Sequence, residues 1–522
     1  MRVPENRSSH LPELADEILT AAFARHPEGP VNLNTSTELP ASSNHTGHFR
    51  WDLFVSAIVS ILGGFLFGFD NIVISGAIRF LSRHFELGVI GTGWAASCAL
   101  VGCILGSSTI GMVVDRIGHK KSLLICTVCF ASSSVGAWIA HSFTQFVCWR
   151  VVGGLGIGAA SILAPMYIAE IAPARLRGRL VTLYQAGIVL GILAAVFSNF
   201  LIQRWGDEAW NESVGWRLMF LVGFVPAALF GAVIFTAVES PRWLFKMGRN
   251  QQALNILSRV DDPDRIETEA RSIRASLEEE EGRFTELFTT YRRPLLLGIM
   301  LAGLQQISGI TPIFAFLPEI FRVAGTTRGD SFYQTVLVSV INLIFTFVGL
   351  WLVDTAGRRA IIIAGTAVQS FALFSVGWLY HVHGSGIAIL VFIMSFVAGH
   401  AFGNGIACWV LISEFYPTRV RGRAMSMATT FLWIVGFLGS QSFPVLMQYF
   451  GPAVTFWIFC AGALLTIVLV GTLVPETKGR TLEEIDEMFE QRLAARKFRG
   501  YVCVGHASGI ADKKSDDEDE KV

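Results

Sequence analysis

Asp70 follows Gly63, Gly64, Phe67 and Gly68 inside an apolar run placed near residues 54–78. A carboxylate held in hydrocarbon costs at least about 2.5 kcal/mol, so Asp70 needs a partner or a task. Arg150, early in a second apolar run near 146–169, is the candidate partner. If the first run crosses the membrane outward and the other inward, both residues fall in its outer half. An adjacent guanidinium favours the carboxylate anion and desolvation opposes it, so a pair whose access to water changes is able to exchange a proton with the outside. The plainer reading is a static ion pair.

A second group of polar residues is neutral. Gln185, Gln305, Gln306 and Asn342 lie in apolar runs with no charged residue close by in sequence. Amides offer donors and acceptors together, which suits an uncharged, hydroxylated solute. A single intramembrane Gln is as readily a hydrogen bond between helices. Two adjacent glutamines followed by Ser308, Gly309 and Pro312, a helix breaker in mid-run, favour a site lined by a discontinuous helix. Trp409 and Trp433 suit stacking on the apolar face of a sugar ring, against packing or an interfacial belt as the bland alternative. His400 and Asn404 read as structural.

Twelve apolar runs of roughly 20 residues or more, each enough to cross about 30 Å of hydrocarbon, must position these groups. They lie near 54–78, 92–114, 122–141, 146–169, 181–202, 216–237, 295–321, 332–353, 360–380, 386–413, 424–447 and 453–474. Basic residues crowd alternate connections: Arg116, Lys120 and Lys121; Arg175, Arg177 and Arg179; Arg358 and Arg359; Arg419, Arg421 and Arg423. The other connections hold only Arg79, Arg83, Arg204, Arg322 and Arg328 besides residues at run edges. The positive-inside rule therefore expects both termini in the cytoplasm. It leaves Asn211, in an outer loop, as a glycosylation acceptor wherever the cell glycosylates, and makes the sequons at Asn6, Asn34 and Asn44 irrelevant.

Residues 1–50 read as a cytoplasmic tail with a short amphipathic helix over Leu11–Phe23 and no signal-peptide pattern. Residues 51–238 and 295–476 form the two halves. Between them, 239–294 is a helical linker, supported by pairs such as Glu267 and Arg271 four apart. Residues 477–522 open on a helical pattern (Leu482, Ile485, Met488, Phe489) and end in the acid run Asp516–Glu520.

The composition agrees with a membrane protein. The 522 residues are 52% hydrophobic and only 16% charged, against roughly a quarter charged in soluble domains, and the mean hydropathy is +0.52. A formal net charge of zero gives no sign of a nucleic-acid partner. The cysteines lie in apolar runs, apart from Cys503, without zinc-type spacing, and read as small core hydrophobes. No metal or cofactor is implied. A phosphate-cradling loop ending in Lys and Ser or Thr is absent, which disfavours an ATP-driven pump. No nucleophile, base and orienting group converge, so an enzyme has no support.

The chain is duplicated. Glu170, Pro173, Arg175, Arg177, Gly178 and Arg179 recur as Glu414, Pro417, Arg419, Arg421, Gly422 and Arg423, at an offset of 414 − 170 = 244 residues. Gly111, Asp115, Arg116, Gly118, His119 and Lys120 are echoed by Gly349, Asp354, Gly357, Arg358 and Arg359. Glu239, Ser240, Pro241 and Arg242 are echoed by Pro475, Glu476, Thr477 and Lys478. So long a repeat fits the parallel halves of a secondary transporter rather than a solenoid.

Over roughly 51–490 these motifs, together with Gly153, Gly154, Gly156 and Gly158 after Arg150, resemble the sugar porter family of the major facilitator superfamily. The resemblance implies an all-α membrane protein of two pseudo-symmetric six-helix halves that alternate access to a central site. Family sugar contacts map onto Gln185, Gln305, Gln306, Asn342 and Trp409, flanked by Phe67 and Trp433. Asp70 with Arg150 matches the proton-coupling pair of bacterial and plant symporters; facilitative animal carriers have Asn at the Asp position. Glu170, Arg177, Glu239, Arg242, Glu414 and Arg421 match a cytoplasmic salt-bridge network, alongside Asp115, Arg116, Asp354, Arg358 and Arg359. Four positions depart from the pattern: Thr311 replaces a sugar-binding Asn, Ile192 a Gln, Leu432 an amide and Ile406 a Pro. The expectation is a proton-coupled monosaccharide symporter acting as a monomer in the plasma membrane. The alternatives are an uncoupled carrier of a sugar or an inositol-like polyol, and a sensor that does not transport.

Overall fold

The computed structural model describes residues 46–476 apart from 262, 280–283, 327 and 417. Helices make up the described elements, with no strand among them. Twelve are long and apolar enough to cross a membrane. In order the spans are Trp51–His84, Val89–Ile117, His119–Ile139, Phe143–Ile171, Leu176–Trp205, Glu208–Thr236, Arg292–Ala315, Asp330–Val353, Arg358–His381, Gly386–Glu414, Val420–Tyr449 and Gly451–Leu473. All twelve expected runs are therefore helices. The expected helix over Leu11–Phe23 and the pattern from Leu482 lie outside the described residues.

Glycine decides how closely the spans approach where an apolar face alone would not, since lipid is as apolar as leucine. A Cβ on Gly102 would stand 2.1 Å from the Val151 carbonyl oxygen, and one on Gly154 1.9 Å from that of Ala99. The second and fourth spans thus touch backbone to backbone. Gly64 and Gly68 do the same for the first span against the fifth, at 2.2 and 2.0 Å from the carbonyls of Tyr184 and Ile188.

Between the halves, the second span packs on the eleventh and the fifth on the eighth. Two apolar clusters fill the molecule. One lies toward the face that carries the basic connections and includes Val114, Leu123, Ile171, Leu295, Ile361 and Ile412; the other lies toward the opposite face and includes Phe80, Phe146, Phe220, Phe321, Phe396 and Phe456. The first span passes between them from Leu66 to Phe69, and the seventh from Leu304 to Ile310. Asp70, Gln305, Gln306 and Thr311 stand at or beside that crossing, the first three about midway along their spans.

Four spans are interrupted, the sixth by a π-helical turn at Asn211–Gly215 and a break between Leu221 and Phe224. The first runs as helices Thr46–Ile72 and Ile74–His84. The tenth contains a π-helical turn at His400–Asn404. The seventh breaks between Arg292–Ile307 and Ile310–Ala315, as Gln305 and Gln306 followed by Ser308 and Gly309 suggest. The cause, however, is Gly309 in the left-handed region (φ 80°) and not Pro312. Pro312 is the third residue of the second piece, within the first turn, where its missing N–H has no intrahelical partner to lose. Between the halves, Pro241–Lys246, Asn250–Val260 and Pro263–Glu279 are helical, and Glu267 pairs with Arg271 at 3.3 Å.

Not every apolar cysteine is a core residue. Cys98, Cys103, Cys126, Cys408 and Cys460 are buried, but Cys148 is exposed on the fourth span. Hydropathy does not distinguish a lipid-facing position from a packed one.

Candidate functional site

The first and fourth spans bring Asp70 and Arg150 together. Arg150 Nη1 donates to Asp70 Oδ1 at 2.8 Å, and Nη2 donates to the Asp70 backbone oxygen at 2.9 Å. Both residues are buried, 7% and 2% exposed, so neither charge can be exchanged for water in this conformation. The guanidinium also stands 5.1 Å from the centroid of the Phe220 ring, a cation–π contact that shares the cost of its burial. Asp70 Oδ2 and the Ser133 hydroxyl have no hydrogen-bond partner among the described residues. Gly153 lets Ser133 pack close on that side: a Cβ there would be 2.4 Å from Ser133 Oγ and 3.5 Å from Asp70 Oδ2. The carboxylate therefore has one oxygen committed to the arginine and one, buried, without a hydrogen-bond partner among the described residues.

Three of the neutral residues, Gln305, Gln306 and Thr311, flank the break in the seventh span. Thr311 Oγ1 donates to Gln306 Oε1 at 2.6 Å, which leaves the Gln306 NH2 as a donor. Gln305 is buried and its Nε2 donates at 3.2 Å to the Asn404 carbonyl, in the π turn of the tenth span. Gln305 is thus itself a bridge between helices. Phe67 of the first span meets Trp433 of the eleventh at 5.6 Å between ring centroids, so each half contributes one ring. The Trp433 Nε1 has no acceptor among the described residues. Gln185 and Trp409 are half-buried on the fifth and tenth spans, and Asn342 is buried on the eighth. No described hydrogen bond joins these three side chains to the rest.

At the basic face the duplicated motifs form two parallel networks. In the N-terminal half, Gly118 (φ 88°) starts the third span, and the Glu239 carboxylate accepts from His119 N at 2.9 Å and Lys120 N at 3.3 Å. An acid on free N–H groups at a helix N-terminus is favourable on both hydrogen-bond and dipole grounds. Lys120 Nζ donates to the Phe235 and Ala237 carbonyls, and His119 Nε2 lies 3.4 Å from Glu170 Oε2. In the C-terminal half, Gly357 (φ 92°) starts the ninth span, and Glu476 accepts from Arg358 N and Arg359 N at 3.1 Å each. Arg359 donates to the Gly471 carbonyl, and Arg358 Nη2 pairs with Glu414 at 3.2 Å.

The other members of the expected network are placed around these. Asp115 pairs with Lys246 at 2.8 Å, Arg177 with Glu269 of the linker at 3.4 Å, and Arg421 Nε donates to the Tyr416 carbonyl. Arg421 stands within electrostatic reach of Glu414 and of Arg242 from the other half. Arg116 is exposed, and the side chain of Asp354 lies outside what the structure describes.

The opposite face holds groups that hydropathy reduced to topology markers. Arg79 pairs with Glu208 at 3.0 Å, Arg83 with Glu212 at 2.8 Å, and Arg322 with Glu319. The first span's Ile74–His84 piece packs there against Leu317–Val323 of the other half. No local signal marks such a cluster, because its members come from three connections. Asn211 must be corrected: it is fully buried, and its Nδ2 donates to the carbonyls of Gln203, Gly206 and Asp207. A nitrogen so committed is not a glycosylation acceptor.

The structure thus holds a buried ion pair, a broken helix lined by amides and a doubled polar network at the basic face. Residues 56–489 match the model of the family described as sugar (and other) transporter. The arabinose-proton symporter of Bacillus subtilis is 36% identical over 463 residues, covering 87% of this chain and 99% of that protein. The major myo-inositol transporter of the same organism is 32% identical over 462 residues, covering 86% and 97%. Among solved structures, the proton:xylose symporter bound to 6-bromo-6-deoxy-D-glucose superposes with a TM-score of 0.75 at 34% identity, covering 84% of this chain and 99% of that one. The helices therefore have the major facilitator arrangement, and the chain belongs to the sugar (and other) transporter family.

Proposed function

We propose that this protein carries a monosaccharide together with protons across the plasma membrane by alternating access, as a monomer with both termini in the cytoplasm. The observation that carries the reading is the buried Asp70–Arg150 pair, in which Oδ2 of the carboxylate has no hydrogen-bond partner among the described residues. From the outer side, a proton on Oδ2 removes the charge that holds Arg150. The pair then loses its Coulombic term in a low-dielectric site, where that term is large. The conformations available to the first and fourth spans change, and solute bound among Gln185, Gln305, Gln306, Asn342 and Trp409 is carried inward. Loss of the proton to the cytoplasm restores the pair. The sensor reading lacks a feature to support it.

The test is uptake into vesicles with an imposed pH gradient, run with and without a protonophore. Accumulation above the outside concentration, abolished by the protonophore, is expected. Exchange of labelled sugar without accumulation would replace symport by facilitated diffusion. A polyol is the second reading for the solute. Thr311 here hydrogen-bonds Gln306 where the family pattern has an amide, and a myo-inositol transporter is among the relatives. A panel of labelled sugars and polyols separates the two.

A further inference from the structure

The second and eleventh spans meet along the boundary between the halves, and two polar clasps join them at different depths. Toward the outer face, Gln441 of the eleventh span uses both ends of its amide. Its Oε1 accepts from Ser97 Oγ at 3.0 Å and its Nε2 donates to the Ile90 carbonyl at 3.2 Å. Ser97 is fully buried, so in this conformation its hydroxyl takes its partner from the other half. The main chains close in at the same level, since a Cβ on Gly93 would stand 2.6 Å from the Gln441 backbone oxygen. Trp94 and Phe437 add an edge-to-face contact at 5.8 Å. Deeper toward the cytoplasm, the Ser107 and Thr430 hydroxyls lie 3.0 Å apart, and Ser426 Oγ donates to the Ser107 carbonyl.

From Ser97 to Ser107 is ten residues of helix, about 15 Å. The clasps are therefore far enough apart for one to open while the other stays shut. We propose that Gln441 is the outer clasp of the transport cycle, opposed by the Ser107–Thr430 clasp on the inner side, and that the balance between them sets which face is open. Separation of the second and eleventh spans at the outer side must break both bonds of Gln441. Its amide and the Ser97 hydroxyl then pass to water, so the clasp weighs on the closed state by its net hydrogen-bond energy alone. A group that acts in one state only shifts populations by that difference. The proposal rests on alternating access and not on proton coupling or the identity of the solute.

Gly436 supplies the reporter. It is buried between the same spans, where an added Cβ would meet Gln306 Oε1 at 3.7 Å and Leu100 Cδ1 at 3.9 Å, both ordinary contacts. Gly436→Cys, made in a Cys148→Ser background, is labelled from outside with a membrane-impermeant maleimide, without sugar or pH gradient. Gln441→Leu is expected to raise the labelling rate about tenfold, the effect of two weak hydrogen bonds. Ser97→Ala, which removes one, should raise it less, and should add little in the Gln441→Leu background because the two residues share one bond. Thr430→Val should lower the rate. Unchanged labelling in both Gln441→Leu and Ser97→Ala would overturn the proposal. A rise with Thr430→Val equal to that with Gln441→Leu would also overturn it, because the loss of either bond would then merely loosen the seam. Ser97→Ala keeps the question answerable if Gln441→Leu does not fold.

Discussion

The two halves repeat one scaffold but divide the chemistry. The N-terminal half holds the buried ion pair in the membrane, Asp70 with Arg150. The C-terminal half supplies most of the neutral candidates, Gln305, Gln306, Thr311 and Asn342 with Trp409 and Trp433, against Gln185 and Phe67 in the N-terminal half. The same split recurs at the basic face. His119 and Arg358 occupy equivalent first positions of their helices and face equivalent acids, Glu170 and Glu414. One is a guanidinium that pairs with its acid and also donates to the Val353 carbonyl, and the other is an imidazole. The duplication therefore preserved backbone devices, glycine at the turn and carboxylate on the helix N-terminus, while side-chain chemistry diverged around them.

The sharpest way to break this division is at Asp70. Asp70→Asn is similar in shape and permanently neutral, and is expected to abolish gradient-driven accumulation while sugar binding and counterflow persist. A purely structural pair would instead leave Arg150 buried alone. That costs roughly 3–5 kcal/mol, so thermal stability and binding would fall together. Uphill, protonophore-sensitive uptake by a stable mutant would remove the coupling role.

Arg358→His copies the N-terminal residue into the C-terminal half. It loses the donation to the Val353 carbonyl and weakens the pair with Glu414. A loss of about 2 kcal/mol follows from those contacts, visible as a lower unfolding temperature in detergent. If stability is unchanged, the two cations are interchangeable and the comparison at this face fails.

Gln305→Ala removes an amide from the C-terminal site and a bond to the tenth span. Solute affinity should weaken about tenfold in a protein that still folds, one lost hydrogen bond of about 1.4 kcal/mol. Equilibrium binding of the transported sugar measures this, and unchanged affinity would return Gln305 to the role of a bridge between helices.

The smallest effect is expected at His119→Gln. The ring is buried and its Nε2 stands 3.4 Å from Glu170 Oε2, but neither ring nitrogen makes a hydrogen bond among the described residues, so the loss in stability at neutral pH should be about 1 kcal/mol. A loss as large as that of Arg358→His would erase the distinction between the halves.

Much of this was legible before any coordinates. The twelve spans, their duplication and the pairing of Asp70 with Arg150 follow from the strict terms that hydrocarbon sets: long apolar helices, and few charges, each with a reason. The break in the seventh span was legible in kind but not in position, because a left-handed glycine and a first-turn proline look alike as helix breakers in a string of letters. Asn211 misled for a similar reason. A sequon is local, and its burial under three carbonyls is not.

The sequence by itself determined the class, the repeat and the family, since each is written in short-range patterns: run length, spacing of Glu, Pro, Arg and Gly, and the placing of basic connections. Only the tertiary structure decided that Arg79, Arg83 and Arg322 join an ion cluster, that Gln305 bonds the tenth span, and that Gln441 clasps Ser97 from 344 residues away. Hydropathy treats an apolar face toward lipid and one toward protein alike. Which faces meet is settled by glycine-permitted backbone approach and by the few polar groups that must find partners across it.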